Sequence, residues 1–389
     1  MKIGSKAYFK VFLPALFLVF LFSVGSFVYG FATNSPEKPA IIGIDFEAYY
    51  TAGRMVIEGD ISEIYDISAH HARLEKLLDQ DIPFLLAWLY PPTFLLAVVP
   101  LAYLPHDLAI YLWLGVTLIL AAFAAYLLSK RNKLYTLYLL GYSGIYMNFH
   151  WAQNGFLNTA LIGFGLYFVE ANPILAGLMF GLLTYKPQIA IFPFIILLIL
   201  KKWRALMWSC IFASILAIVS GLIFGFGVWI DFIASSFTNA DALSSVWEGV
   251  AWGQPTLYTA LRSMGINGLL LSLMLIVVAA CAIFACVWVW KNTDRITLRG
   301  SALVLGIFIS IPYLSLYDTA MLSIPFLLLS IDCFEYGFRR VELASLLLLF
   351  LLPILCFLIF TSTNVQICPF VLMIVFMIVI RRVKRYDEV

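Results

Sequence analysis

The residues best suited to chemistry in this sequence are few and far apart. In Gly43-Ile44-Asp45-Phe46-Glu47-Ala48-Tyr49-Tyr50 a carboxyl opens a helix-like segment, and a positioned carboxylate can take the proton of an attacking hydroxyl. Asp is equally favoured as a helix N-cap, so the residue alone leaves Asp45 open between base and cap. Lys186, in Thr184-Tyr185-Lys186-Pro187-Gln188, interrupts an apolar stretch, and an ionisable group at membrane depth is a functional candidate. It either holds a phosphate as a point charge or snorkels to the interface from a helix end. Arg262 stands alone on what reads as the outer face, where its fork would suit phosphate oxygens. Asp318, in Ser315-Leu316-Tyr317-Asp318-Thr319, either caps a helix or orients a sugar or Arg262. Gln153 and Asn154 either hydrogen-bond a sugar or bridge helices as polar glue. Tyr49, Arg54, Tyr90 and Tyr317 lie beside these groups in sequence and complete the candidate substrate contacts. His150 reads as an interior histidine, because no second His or Cys lies at a metal-ligand spacing.

Something must hold these groups, and composition says what. Of 389 residues, 63% are hydrophobic, about 245 side chains, and 12% are charged, against roughly 25% in soluble domains. An ordinary soluble enzyme is excluded. At about 20 apolar residues per transmembrane helix this is material for roughly a dozen spans, and a single membrane-embedded all-α domain over residues 1–389 is predicted. The net charge of +2 gives no field for nucleic acid. Six cysteines, Cys210, Cys281, Cys286, Cys333, Cys356 and Cys368, sit in or beside apolar runs and read as packing residues.

Charge sets the sidedness. Three lysines precede the apolar run Val11 to Phe31, which reads as a retained first span with a cytoplasmic N-terminus. Further basic runs, Lys130-Arg131-Lys133, Lys201-Lys202-Arg204, Lys291-Arg295-Arg299, Arg339-Arg340 and Arg381-Arg382-Lys384-Arg385, are placed on the same side. The segment 84–104, broken by Pro91, Pro92 and Pro100, is expected not to cross, which leaves about twelve crossings. Two outer loops result, 32–83 and 231–267. The first carries ten acids against four basic residues, and Phe46 to Ile57 and Ser68 to Leu78 have the spacing of short amphipathic helices on the membrane surface. No Walker loop, GxGxxG, HExxH or ordered metal-ligand set is readable, so no metal or cofactor is assigned, and a transferase would need a donor that reaches it through the membrane.

In order, IDFEAYYTAGRMVIEGDISEIYD, WLYPPTFLLAVVPLAYLP, QNGFLNTALIGFG, AGLMFGLLTYKPQIAIFPFIILLILKKWR and PYLSLYDTAMLSIPFLLL resemble the polyprenyl-phosphate-sugar-dependent glycosyltransferases of family 87. The resemblance covers most of the chain to about residue 332. It implies a GT-C type bundle whose first outer loop forms the catalytic face, with Asp45 as base. The implied reaction transfers a hexose such as mannose, with inversion, from a polyprenyl-phosphate donor to a glycolipid or glycan acceptor. Arg262 and Lys186 would stabilise the departing phosphate. The implied site is on the periplasmic or extracytoplasmic side of the plasma membrane. Ala152 departs from the family's frequent glycine before Gln-Asn. A transporter or flippase of a lipid-linked saccharide is the alternative class, although no internal repeat of the kind such proteins often carry is seen. A polysaccharide polymerase or ligase fits less well, because the dominant loop here is early and acidic.

Overall fold

A computed structural model describes residues 5–33, 43–82, 85–238 and 251–384. Its regular elements are eighteen α-helices and four 3-10 turns, with no strand among the described residues. Six segments are long and apolar enough to cross a bilayer: α1 (Ser5–Ala32), α5 (His106–Leu128), α11 (Trp203–Phe224), α14 (Gly268–Asn292), Leu316–Tyr336, which joins a 3-10 turn to α16 (Ser323–Tyr336), and α17 (Arg340–Thr363). The chain is a polytopic all-α membrane protein.

About twelve crossings are expected; among the described residues only six helices have full spanning length, and six shorter apolar helices accompany them. The other apolar runs are cut short by proline and glycine. The segment expected not to cross yields α4 (Pro92–Ala102), 11 residues long and so about 16 Å against roughly 30 Å of hydrocarbon. The run 134–150 breaks at Gly141-Tyr142 into α6 (Lys133–Leu140) and α7 (Ser143–Trp151). Four further short helices, α8 (Gly155–Phe168), α9 (Pro173–Leu182, continued by the 3-10 turn Leu183–Tyr185), α10 (Pro187–Ile199) and α15 (Ile296–Ser310), matter most for the site.

The five internal and C-terminal basic runs gather on one face. Lys202 Nζ lies 2.5 Å and Arg299 Nη1 3.2 Å from Glu170, at the end of α8. Lys130 pairs with Glu335 at 2.6 Å. Asp332, fully buried near the end of α16, takes Arg295 at 3.1 Å and Arg382 at 2.5 Å. Arg382 also pairs at 2.8 Å with Glu342, which accepts from the Arg339 backbone N–H. Arg382 belongs to α18 (Cys368–Lys384) and Glu342 to α17. Buried charges are tolerated only when paired and hydrogen-bonded, and here one carboxylate fastens three helix ends. Arg385 lies outside the described residues.

Because residues 170 and 202 meet on that face, the chain between them rises and returns. Its turning point is Lys186, between the 3-10 turn and Pro187. Each arm is 13 residues long, about 20 Å, whereas α11 with 22 residues and α14 with 25 reach about 33 and 37 Å. The turn therefore stops below the far plane of the longer helices.

On that far side, α2 (Ile44–Glu58) and α3 (Ile67–Leu78) occupy the positions expected for the two loop helices. They are separated by the 3-10 turn Ile61–Glu63. Contrary to expectation, α2 does not lie on the surface: Phe46, Tyr49, Ala52 and Met55 are wholly or almost wholly buried, contributing on the order of 2 kcal/mol for each large side chain. Gly53 permits this, since a Cβ there would fall 2.6 Å from Ala102 Cβ and 3.1 Å from Val98 O of α4. The second outer loop contains α12 (Gly227–Thr238) and α13 (Leu257–Ser263); Trp247 to Val250 lie outside the described residues.

Candidate functional site

Asp45 is the second residue of α2 and not its cap. That position belongs to Gly43, in a left-handed conformation with φ 85°, whose N–H donates to His150 O at 2.7 Å. The half-buried Asp45 carboxyl is therefore free of capping. Burial pushes its pKa up to about 7, against the lowering effects of the nearby Gln153 amide and of the Lys186 charge.

Gln153 and Asn154 reach this point because α7 ends at Trp151 and Ala152 takes a left-handed turn, φ 50° and ψ 41°. Asn154 sits at the N-cap of α8, a position its type favours, yet its side chain makes no capping bond. Its Nδ2 donates to Tyr49 OH at 2.9 Å and Tyr90 OH at 2.8 Å. Its Oδ1 accepts from Lys186 Nζ and from Asn158 Nδ2, both at 3.2 Å. An aromatic frame holds the two tyrosines: Tyr49 meets Phe94 at 5.1 Å and Trp113 at 5.7 Å between ring centroids, and Phe94 stacks on Tyr185 at 4.6 Å.

Lys186 is 3% exposed, so it does not snorkel. Its Nζ lies 2.6 Å from Asp318 Oδ1 and 4.8 Å from the centre of the Tyr317 ring. Asp318 also accepts from Asn158 Nδ2 at 3.0 Å and, through Oδ2, from the Ser315 N–H at 3.0 Å. Both readings of Asp318 are thus realised: it closes a capping box with Ser315 and holds a buried cation. Gly155 brings the two halves together, for a Cβ there would stand 2.2 Å from Tyr317 O and 2.6 Å from Asn148 Oδ1.

The structure therefore assembles Asp45, Tyr49, Tyr90, Gln153, Asn154, Lys186, Tyr317 and Asp318. It does not bring in Arg54, whose guanidinium pairs with Glu58 at 2.7 Å one turn along α2. Arg262 sits on α13, whose Leu257 and Leu261 form a separate apolar cluster with Leu271, and it donates to the Asn267 side chain. Sequence reasoning missed Asn158 and Tyr185, which donates its hydroxyl proton to Asn158 Oδ1. The i, i+4 spacing of Asn154 and Asn158 in an otherwise apolar helix was the available signal. It also missed Glu47, 7% exposed, which meets His106 Nε2 at 2.8 Å and ties α2 to the start of α5. Among the described residues, no group of three His, Cys, Asp or Glu side chains is placed to hold a metal ion.

The sequence profile of glycosyltransferase family 87 matches residues 88–315, more than half of the chain. The chain belongs to glycosyltransferase family 87. Comparison with curated proteins and with solved structures gives no match. As a family 87 member the protein is a glycosyltransferase, which takes a sugar donor and an acceptor, and the transporter and flippase readings give way to an enzyme. The matched region contains the short helices α8, α9, α10 and α15 with Gln153, Asn154 and Lys186. Asp45 precedes it and Asp318 follows it.

Proposed function

We propose that this family 87 glycosyltransferase moves a hexose, mannose being the first to test, from a polyprenyl-phosphate donor to a hydroxyl of a glycolipid or glycan. The carrying observation is that one carboxylate and one buried cation share a single polar cluster. Gln153 and Lys186 both act on the Asp45 charge, Gln153 Oε1 accepts from the Asn154 N–H at 3.1 Å, and Asn154 Oδ1 accepts from Lys186.

In this reading Asp45 takes the acceptor's hydroxyl proton while that oxygen bonds the anomeric carbon. The bond from the anomeric carbon to the phosphate oxygen breaks with its electron pair, leaving polyprenyl phosphate, and a single displacement inverts the centre. Lys186 stabilises the charge that develops on the departing phosphate, an electrostatic effect that often dominates such steps. Arg54 and Arg262 are not used.

A donor presented from lipid is supported by depth. Lys186 tops a helical hairpin shorter than its flanking helices, and α10 packs against both α11 and α14. Beside the cluster at Leu271, the outer half of α14 presents an exposed apolar face, with Leu269 75%, Ile276 65% and Val277 59% exposed, and an apolar chain would meet the hairpin's end there. The opposite placement of the basic face and the Asp45 cluster supports an extracytoplasmic active site by the positive-inside rule.

The test is incubation of purified protein with polyprenyl-phosphate mannose and a glycolipid alcohol. Free polyprenyl phosphate and an inverted linkage should accumulate with wild type and not with Asp45→Asn, which should fold normally. Near-normal turnover by Asp45→Asn would remove it from the mechanism.

A further inference from the structure

We infer that Asn158 is a positioning residue, which aims the Lys186 ammonium at the departing phosphate without touching the substrate. The inference rests on the reading of Lys186 given above.

Four polar atoms close a ring. Lys186 Nζ donates to Asp318 Oδ1 at 2.6 Å and to Asn154 Oδ1 at 3.2 Å. Asn158 Nδ2 donates to the same two oxygens, at 3.0 Å and 3.2 Å. The lysine and the asparagine thus share both of their acceptors.

Chemistry fixes which way the carboxamide faces. The Asp318 carboxylate, bound to the ammonium and to the Ser315 N–H, accepts, so the end of Asn158 beside it is the N–H end. The oxygen end takes the hydroxyl proton of Tyr185, the residue before Lys186. Both hydrogens and the oxygen of the carboxamide are therefore engaged.

Asn158 is wholly buried on α8, one turn beyond Asn154. Asparagine is a poor helix former, an idle carboxamide there would be costly, and the residue offers no surface to a sugar. What its bonds do is hold the spacing of the two oxygens that seat the ammonium. An ammonium has three N–H groups. With two of them set on Asp318 and Asn154, the direction of the third is set as well, and Lys186 stays 4.8 Å from the centre of the Tyr317 ring. Loss of the bridge lets the Asp318 turn and the start of α8 shift, and misplacement by about 1 Å costs on the order of a hundredfold in rate. The donor is a phosphodiester with one negative charge, whereas released polyprenyl phosphate carries nearly two. A misdirected ammonium therefore weakens the product more than the donor.

The experiment measures the affinity of the purified protein for polyprenyl phosphate and for polyprenyl-phosphate mannose, each without acceptor, together with kcat. Asn158→Leu keeps the branching and removes every polar atom. It should weaken polyprenyl phosphate by about tenfold or more, leave the donor's affinity unchanged and lower kcat on the order of a hundredfold. Added to Lys186→Met with Asp318→Asn, it should weaken polyprenyl phosphate no further, because the group it positions is gone. Equal weakening of both lipids, a further loss in that background, or a wild-type affinity or kcat would overturn the assignment. Asn158→Ala is the second variant. Thermal unfolding identifies one that fails to fold, and the other then decides; failure of both would assign Asn158 to the fold and overturn the inference as well. Wild-type affinity for polyprenyl phosphate in Lys186→Met with Asp318→Asn would defeat the reading of Lys186 itself, whereas weakened affinity there with both Asn158 variants unmoved defeats only this inference.

Discussion

Lys186 Nζ and Asp318 Oδ1 lie 2.6 Å apart with side chains 4% and 1% exposed. They come from positions 132 residues apart, and each also bonds one of the two asparagines of α8, Asn154 for the lysine and Asn158 for the aspartate. The pair fastens the tip of the α9–α10 hairpin to the 3-10 turn before α16. It also explains how a lysine stays at this depth: its carboxylate partner is itself held by two further donors, Asn158 and the Ser315 N–H.

Removing one partner should therefore be worse than removing both charges. Lys186→Met is expected to lose about 3–5 kcal/mol of stability by leaving a buried carboxylate unpaired. Lys186→Met with Asp318→Asn should recover much of that loss, read by thermal unfolding, while transfer stays absent. A double variant with restored turnover would take Lys186 out of phosphate stabilisation.

Asp45 makes activity and stability move in opposite directions with pH. Its pKa in the fold is raised from 3.8 to about 7, so between those values the folded chain holds a proton that the unfolded chain has lost. By linkage, this group's contribution falls as pH rises from about 4 to about 7 and then levels off. Transfer needs the carboxylate, so its rate should rise with pH to a midpoint near 7. Asp45→Asn should accordingly melt higher than wild type at pH values above that midpoint, with the gap closing in acid. Equal melting temperatures at alkaline pH would contradict the raised pKa.

Gly155→Ala should damage catalysis without replacing any polar side chain of the site. The added methyl would stand 2.2 Å from Tyr317 O, and relief by about 1 Å would shift the turn bearing Asp318 away from Asn158 and Lys186. A displacement of that size costs on the order of a hundredfold in turnover, with a smaller change in melting temperature. Wild-type kcat in this variant would mean that the spacing of the two halves is unimportant.

Position 152 offers a test of backbone strain. Ala152 adopts φ 50°, which costs an L-residue roughly 1–2 kcal/mol, while glycine adopts it freely. Ala152→Gly loses a buried methyl and gains conformational ease, so stability should stay within about 1 kcal/mol of wild type. Ala152→Val, β-branched at the same φ, should lose more than about 2 kcal/mol. Denaturation of the two variants separates these outcomes, and similar values for both would show that the turn relaxes.

Much of the protein could be read from residue order alone, and for a physical reason. Apolar composition dictates helices in a bilayer, because no other open structure satisfies the backbone there. Basic runs specify a common face, and helical spacing of apolar residues marks α2 and α3, since these are properties of a single segment. Lys186 stood out because an ionisable group is costly at membrane depth, and Asp45, Gln153, Asn154 and Asp318 because their types suit proton transfer or hydrogen bonds to a sugar. What the order could not supply was proximity. That Asp45 is not a cap, that Lys186 is paired and does not reach for water, and that Arg54 turns to Glu58 depend on which helix ends arrive side by side. So do the parts of Asn158, Tyr185 and the Glu47–His106 pair. Those meetings follow from where proline and glycine cut helices short and from the close approaches at Gly53 and Gly155. They are tertiary facts, because a glycine's missing side chain has meaning only once a neighbour fills its place.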